Sequence, residues 1–168
     1  MEKIIIEPIK YHLSLRQLIF DHFKSLTGEL PIKGGWGYTK EDAIIIDKND
    51  HTVNPKVPFD GVGLEYIIAE KRIYEELIIL RPQEDRFSGI RWKLLSQDLI
   101  HDGDKSYDKL IFKVTAHRDK DFESLKVIWE SNQSNPDFDR EEHLKRHEEL
   151  LCYYETEYWF DITSFFGK

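Results

Sequence analysis

Apolar positions along the chain switch repeatedly between a helical and a strand period. Leu15, Leu18, Ile19, Phe23 and Leu26 recur at three- and four-residue intervals, the spacing of one helix face. Ser14-Leu15-Arg16-Gln17 has capping-box spacing and Gly28 is a natural stop, so a helix is predicted from about Ser14 to Thr27. Ala43-Ile44-Ile45-Ile46 reads as a buried strand of β-branched residues. From Lys48 to Val62, Asn49-Asp50, Asn54-Pro55, Val57-Pro58 and Asp60-Gly61 follow in close succession and predict a long loop. Leu64 to Leu80 divides into a helix to about Tyr74 and a strand over Glu76 to Leu80, ahead of Arg81-Pro82.

The second half alternates more cleanly. Ile90 to Ile100 and Lys109 to His117 flank Asp102-Gly103 and predict a hairpin. Asp121 opens a short helix carrying Phe122, Leu125, Ile128 and Trp129 on one side. Asn135-Pro136 separates it from a second helix, whose start at Asp139-Arg140-Glu141-Glu142 resembles a capping box. Tyr154, Thr156, Tyr158, Phe160 and Ile162 then alternate with Glu155, Glu157, Trp159 and Asp161, a strand pattern with three carboxylates on one face. The sum is about four helices and four or five strands in one globular domain over residues 1–168. Without regular βαβ alternation, the expected fold is α+β, with an antiparallel or mixed sheet covered by helices on one side.

Composition narrows the function classes. A hydrophobic fraction of 40% and an aromatic fraction of 13% are those of a folded chain. The balance of 24 basic against 32 acidic residues, a formal charge of −8, repels a phosphate backbone. A nucleic acid partner is therefore not expected, whereas a basic protein partner fits. Cys152 is the only cysteine, which rules out an intramolecular disulfide and a four-thiolate zinc site. Met1 to Pro8 contains only three consecutive apolar residues, and no run approaches the roughly 18 of a spanning helix. The expected setting is the cytoplasm, without a membrane partner.

The most distinctive stretch is Gly34-Gly35-Trp36-Gly37-Tyr38-Thr39-Lys40-Glu41-Asp42. Glycine-rich loops of this kind form anion-binding nests, but both phosphate-loop patterns are missing and Glu41 and Asp42 oppose an anion. Two readings remain: Trp36 and Tyr38 are presented as contacts beside Glu41 and Asp42, or Trp36 tucks back over the first helix.

Other clusters carry less. His143 and His147 share a helix face at i, i+4, yet the H-E-x-x-H pattern fails. His101-Asp102-Gly103-Asp104 with Asp108 does not match a calcium loop, and the hairpin turn already accounts for it. Cys152 sits among apolar and aromatic neighbours that predict an inert thiol, and no G-x-S-x-G elbow occurs. No catalytic motif, metal site or cofactor is expected.

Two functional expectations follow. In the first, the chain is an acidic protein-interaction module, an immunity-type inhibitor being one form of it. Its contacts are Trp36, Tyr38, Glu41 and Asp42, with Glu155, Glu157 and Asp161 as an alternative acidic face. In the second, it is a small enzyme or ligand-binding domain with a pocket between loops 34–42 and 48–62, where Asp47, His51 and Glu65 are the polar groups.

Overall fold

A computed structural model describes residues 4–6, 13–26 and 28–167. Its centre is a six-stranded mixed sheet. The strands are β1 (Ile4–Ile5), β2 (Ile32–Gly34), β3 (Ile44–Ile46), β4 (Phe87–Asp102), β5 (Lys105–Arg118) and β6 (Cys152–Asp161). They run in the order β2-β3-β6-β5-β4, with β1 beside β6. β6 is antiparallel to β5 along its length, and its other edge pairs in parallel with β1 at Cys152 and Tyr153 and with β3 at Phe160 and Asp161. The expected α+β class and mixed sheet are what the chain adopts.

The period-2 alternation of β5 and β6 turns Leu110, Phe112, Val114, Tyr154, Tyr158 and Phe160 to one buried face. Two helices cover that face, α1 (Leu15–His22) and α2 (Gly61–Tyr74). The other face carries Lys109, Lys113, Glu155 and Glu157. Two further helices, α3 (Asp119–Ser131) and α4 (Arg140–Glu149), pack where β5 ends, with Phe122 of α3 against Gly89 and His117.

Most boundaries follow local chemistry. Ser14 caps α1 by accepting from the Gln17 amide at 3.3 Å, and Asp139 caps α4 through the Glu142 amide at 3.0 Å. The Gln17 side chain, however, donates to Asp21 and does not close the capping box. The helix also stops at His22, short of the expected Thr27, which lies outside the described residues. Gly103 takes φ +64° at the first position of a two-residue turn, the sign a II′ hairpin turn needs.

The strand expected over Glu76 to Leu80 is not there. Instead α2 runs on into a π-helical turn, Glu75–Ile79, in which the Leu80 amide reaches back to the Glu75 carbonyl at 2.9 Å. The widened turn buries two successive glutamates, Glu75 and Glu76. Arg81 satisfies the Glu76 carbonyl through Nε at 2.6 Å. The apolar run Leu77 to Leu80 is thus the end of a buried helix, held there by polar partners.

Candidate protein-interaction surface

The glycine loop is the closed end of the β2–β3 hairpin. The Gly35 amide donates to the Ala43 carbonyl at 3.1 Å and the Gly37 amide to Asp42 at 2.9 Å. A Cβ on Gly35 would lie 2.2 Å from the Asp42 carbonyl oxygen. Gly37 has φ +77°, and its carbonyl accepts from the Trp159 amide at 2.8 Å, filling the stretch of the β6 edge between β1 and β3. A Cβ there would stand 2.9 Å from the Trp159 carbonyl oxygen. Gly37→Ala is therefore expected to lose roughly 1–3 kcal/mol of stability, read as a lowered midpoint in urea unfolding.

This path determines where the aromatic residues go. Trp36 is only 2% exposed, and its indole N–H donates to the Leu13 carbonyl. Tyr38 stacks on it and donates from its hydroxyl to Glu76 Oε1 at 2.7 Å. The expectation that Trp36 and Tyr38 are displayed for a partner is corrected, because the loop turns both rings inward onto a buried ionic cluster. At its centre Arg72 has no exposed surface. It donates from Nε to Glu76 Oε1 at 2.8 Å, from Nη1 to the Trp36 carbonyl at 2.8 Å and from Nη2 to Thr156 Oγ1 at 2.5 Å. The Tyr38 and Tyr158 rings lie over its guanidinium, at 4.4 and 3.6 Å. Burial, then the Glu76 carboxylate, raises the phenols of Tyr38 and Tyr154 well above their ordinary value, so both remain donors to Glu76. The cluster is enclosed and anchors the loop rigidly to α2 and β6.

With its aromatic rings anchored inside, the loop keeps its charged tip outside. Lys40 reaches the β4–β5 hairpin end and binds Asp102 at 2.8 Å, which holds the Asp102 carboxyl below its usual range. Glu41 is exposed, whereas Asp42 is half-buried and spends one oxygen on the Thr39 amide and hydroxyl. Beside them stands Trp159, half-buried on the outer face of β6. Its indole N–H donates to Glu157 at 3.0 Å, its ring meets the Tyr107 ring edge-on, and Lys109 lies over it. The loop tip, the β4–β5 hairpin end and β6 thus carry Glu41 and Asp42, Asp102 and Asp104, and Glu155 and Glu157 on connected elements, with Glu157 bonded to the Trp159 indole. Among the described residues, Glu41, Asp104 and Glu155 enter no ion pair.

The alternative acidic face is more divided than the alternation alone implied. Glu155 and Glu157 are exposed, but Lys113 stands opposite Glu155 and Lys109 lies 3.7 Å from Glu157. Asp161 is buried and accepts from the Thr163 amide and hydroxyl, so it holds the chain after β6 and presents no charge to a partner. Trp159 was passed over because its alternation with the glutamates marked it only as an outward residue; its orientation depends on Tyr107 and Lys109 from the next strand.

Loops 34–42 and 48–62 leave opposite ends of β3 and do not converge. One depression of about 380 Å³ lies between loop 48–62 and the start of α2, bordered by Pro31, Val57, Phe59, Leu64 and Ile67, with no part for loop 34–42. Of the polar groups expected there, Asp47 caps a turn at Asn49 and approaches Lys33, while His51 is solvent-exposed beside Asp50. Asp50, not singled out from sequence, grips Arg16 of α1 at 2.6 and 3.3 Å, and that bond holds its carboxyl well below the usual range. Glu65, on α2, is 1% exposed and faces Asp108; it does not border that depression.

Among the described residues no group of three or more His, Cys, Asp or Glu side chains is placed to hold a metal ion, and no helix is long and apolar enough to cross a membrane. Cys152 is buried on β6 and burial raises its thiol pKa. Comparison with protein-family models, with curated proteins and with solved structures gives no match.

Proposed function

We propose that the chain is an acidic protein-interaction module that binds a basic protein, in the manner of an immunity-type inhibitor. The observation that supports it is an oriented, half-buried indole on the outer face of β6, Trp159, bonded to Glu157 and joined through its amide to the loop whose tip carries Glu41 and Asp42. A fixed aromatic anchor with exposed carboxylates on the elements beside it combines two ingredients of fast, tight association: steering by the field and burial of a large ring. The formal charge of −8 extends that field beyond the patch.

The test is retrieval of the bound partner from the cells that make the protein, followed by rate measurements with purified components. The partner is expected to be basic. Reversing Glu41, Asp104 and Glu155 to lysine should slow association about 10- to 100-fold at low salt. The difference should vanish at about 1 M salt, where screening acts over about 3 Å. Trp159→Ala should instead speed dissociation, at a cost of about 2 kcal/mol or more. An acidic partner, or wild-type association by the triple reversal, removes the reading.

A further inference from the structure

The helical hairpin at the far end of the sheet is held by histidines. α4 has no buried residue of its own, and only its inner side touches the rest of the protein. His117, itself 1% exposed on β5, donates from Nε2 to the His147 carbonyl in the last turn of α4 at 2.8 Å. The two imidazoles lie 4.2 Å apart, centroid to centroid. One turn earlier, His143 stacks on Trp129 of α3 at 5.6 Å. Between the helices runs a groove of about 310 Å³, bordered by Leu125, Lys126, Trp129, His143, Leu144 and His147.

We propose that α4 is an acid-released flap: protonation of His147 sets it against His117, His143 and Arg91, and α4 then leaves α3 and bares its apolar side. The groups facing His147 are His117 from β5, Arg91 from β4, Lys126 from α3, and His143 and Glu148 from α4 itself. A single carboxylate stands among them, so a proton added there meets mainly cationic or protonatable neighbours. Burial first, then His117, His143 and Arg91, holds the docked His147 below the ordinary histidine value. Once α4 is released, the ring returns to water and to an ordinary affinity for protons. The released form therefore binds more protons as pH falls through the histidine range, and acid favours release while neutral pH favours docking. Release uncovers Phe122 and Leu125 and adds to the exposure of Trp129, which with Val127 and Ile128 is already partly open to solvent.

Amide hydrogen exchange on the whole chain at pH 7.5 and 5.5, corrected for intrinsic rates, tests this. Protection of residues 140–149 relative to β5 should fall about tenfold for each pH unit by which docking lowers the His147 pKa. His147→Gln should keep the protection and lose its pH dependence. Should that variant fail to dock at either pH, Arg91→Gln decides, because it retains His147, removes one opposing cation and should shrink the fall. Equal protection at both pH values in the wild type, a loss shared evenly by β5, or an undiminished fall in a docked His147→Gln or in Arg91→Gln overturns the proposal.

Discussion

Arg72→Ala is expected to lower stability by about 3–5 kcal/mol, the cost of leaving one member of a buried ion pair uncompensated. Set against an ordinary domain stability of about 5–15 kcal/mol, that shift is large enough to leave much of the chain unfolded in mild urea. Without the guanidinium, Glu76 keeps the Tyr38 and Tyr154 hydroxyls as its side-chain partners among the described residues, and the Trp36 carbonyl and Thr156 hydroxyl lose the Arg72 donor. Arg72→Lys should recover little, because one ammonium cannot reproduce a planar fork held between two phenol rings. Arg72→Met combined with Glu76→Leu should be less damaging than Arg72→Ala alone, since no charge is then stranded. Urea unfolding of the three variants measures this. A loss below about 1 kcal/mol for Arg72→Ala would show that the cluster is not what ties the glycine loop down.

Raising the pH should weaken the fold through Glu65. Glu65 is pushed up to about 9, first by burial and then by the neighbouring Asp108, so it is protonated at neutral pH and hydrogen-bonds that carboxylate. Gln97 holds Asp108 from the other side at 2.7 Å, while Glu65 Oε2 has no partner among the described residues. In the unfolded chain Glu65 titrates near 4.5, so the native state holds one more proton between about pH 4.5 and 9. Stability therefore falls as pH rises through that window, by at most about 1.4 kcal/mol per unit. Glu65→Gln keeps the shape and removes the titration. The difference in unfolding free energy between the two proteins should thus tilt steadily from pH 5 to 9. A pH-independent difference would mean that Glu65 is ionised in the folded protein.

Much of the fold was legible because its signals are local. Capping residues, the Asp102-Gly103 turn and the alternation of β5 and β6 each act within a few positions. Two strands were missed, β1 and β2, because two or three residues carry no period of their own and become strands only by pairing with β6 and β3. The segment after Tyr74 misled for a related reason. Leu77-Ile78-Ile79-Leu80 has strand chemistry, while what keeps it helical is long-range: Tyr38 and Tyr154 on Glu76, and His22 on Glu75 at 2.6 Å. The burial of ionisable side chains at Glu65, Arg72 and Glu76 is invisible to a reading that assigns such residues to the surface.

The candidate surface was legible in part. Glu41 and Asp42 were found from the loop itself, and Glu155 and Glu157 from the strand. That the loop meets β6 at Trp159, two residues from Glu157, follows from the Gly37–Trp159 hydrogen bond, which no spacing announces. Trp36 drew attention as an aromatic residue among glycines, yet those glycines are what let the backbone turn it inward.

On the ribosome, β1 and β3 wait for the strand that joins them to the rest of the sheet. Both pair with β6, so more than a hundred residues must emerge after Ile46 before β3 finds its central neighbour at Phe160 and Asp161. Until then the short β2–β3 hairpin and α2 have no platform, and the long β4–β5 hairpin is the larger of the two pieces of sheet able to form from neighbouring sequence. Assembly is therefore gated by its latest strand, which makes the nascent chain a natural client for chaperones and makes a premature stop before residue 152 fatal to the whole sheet.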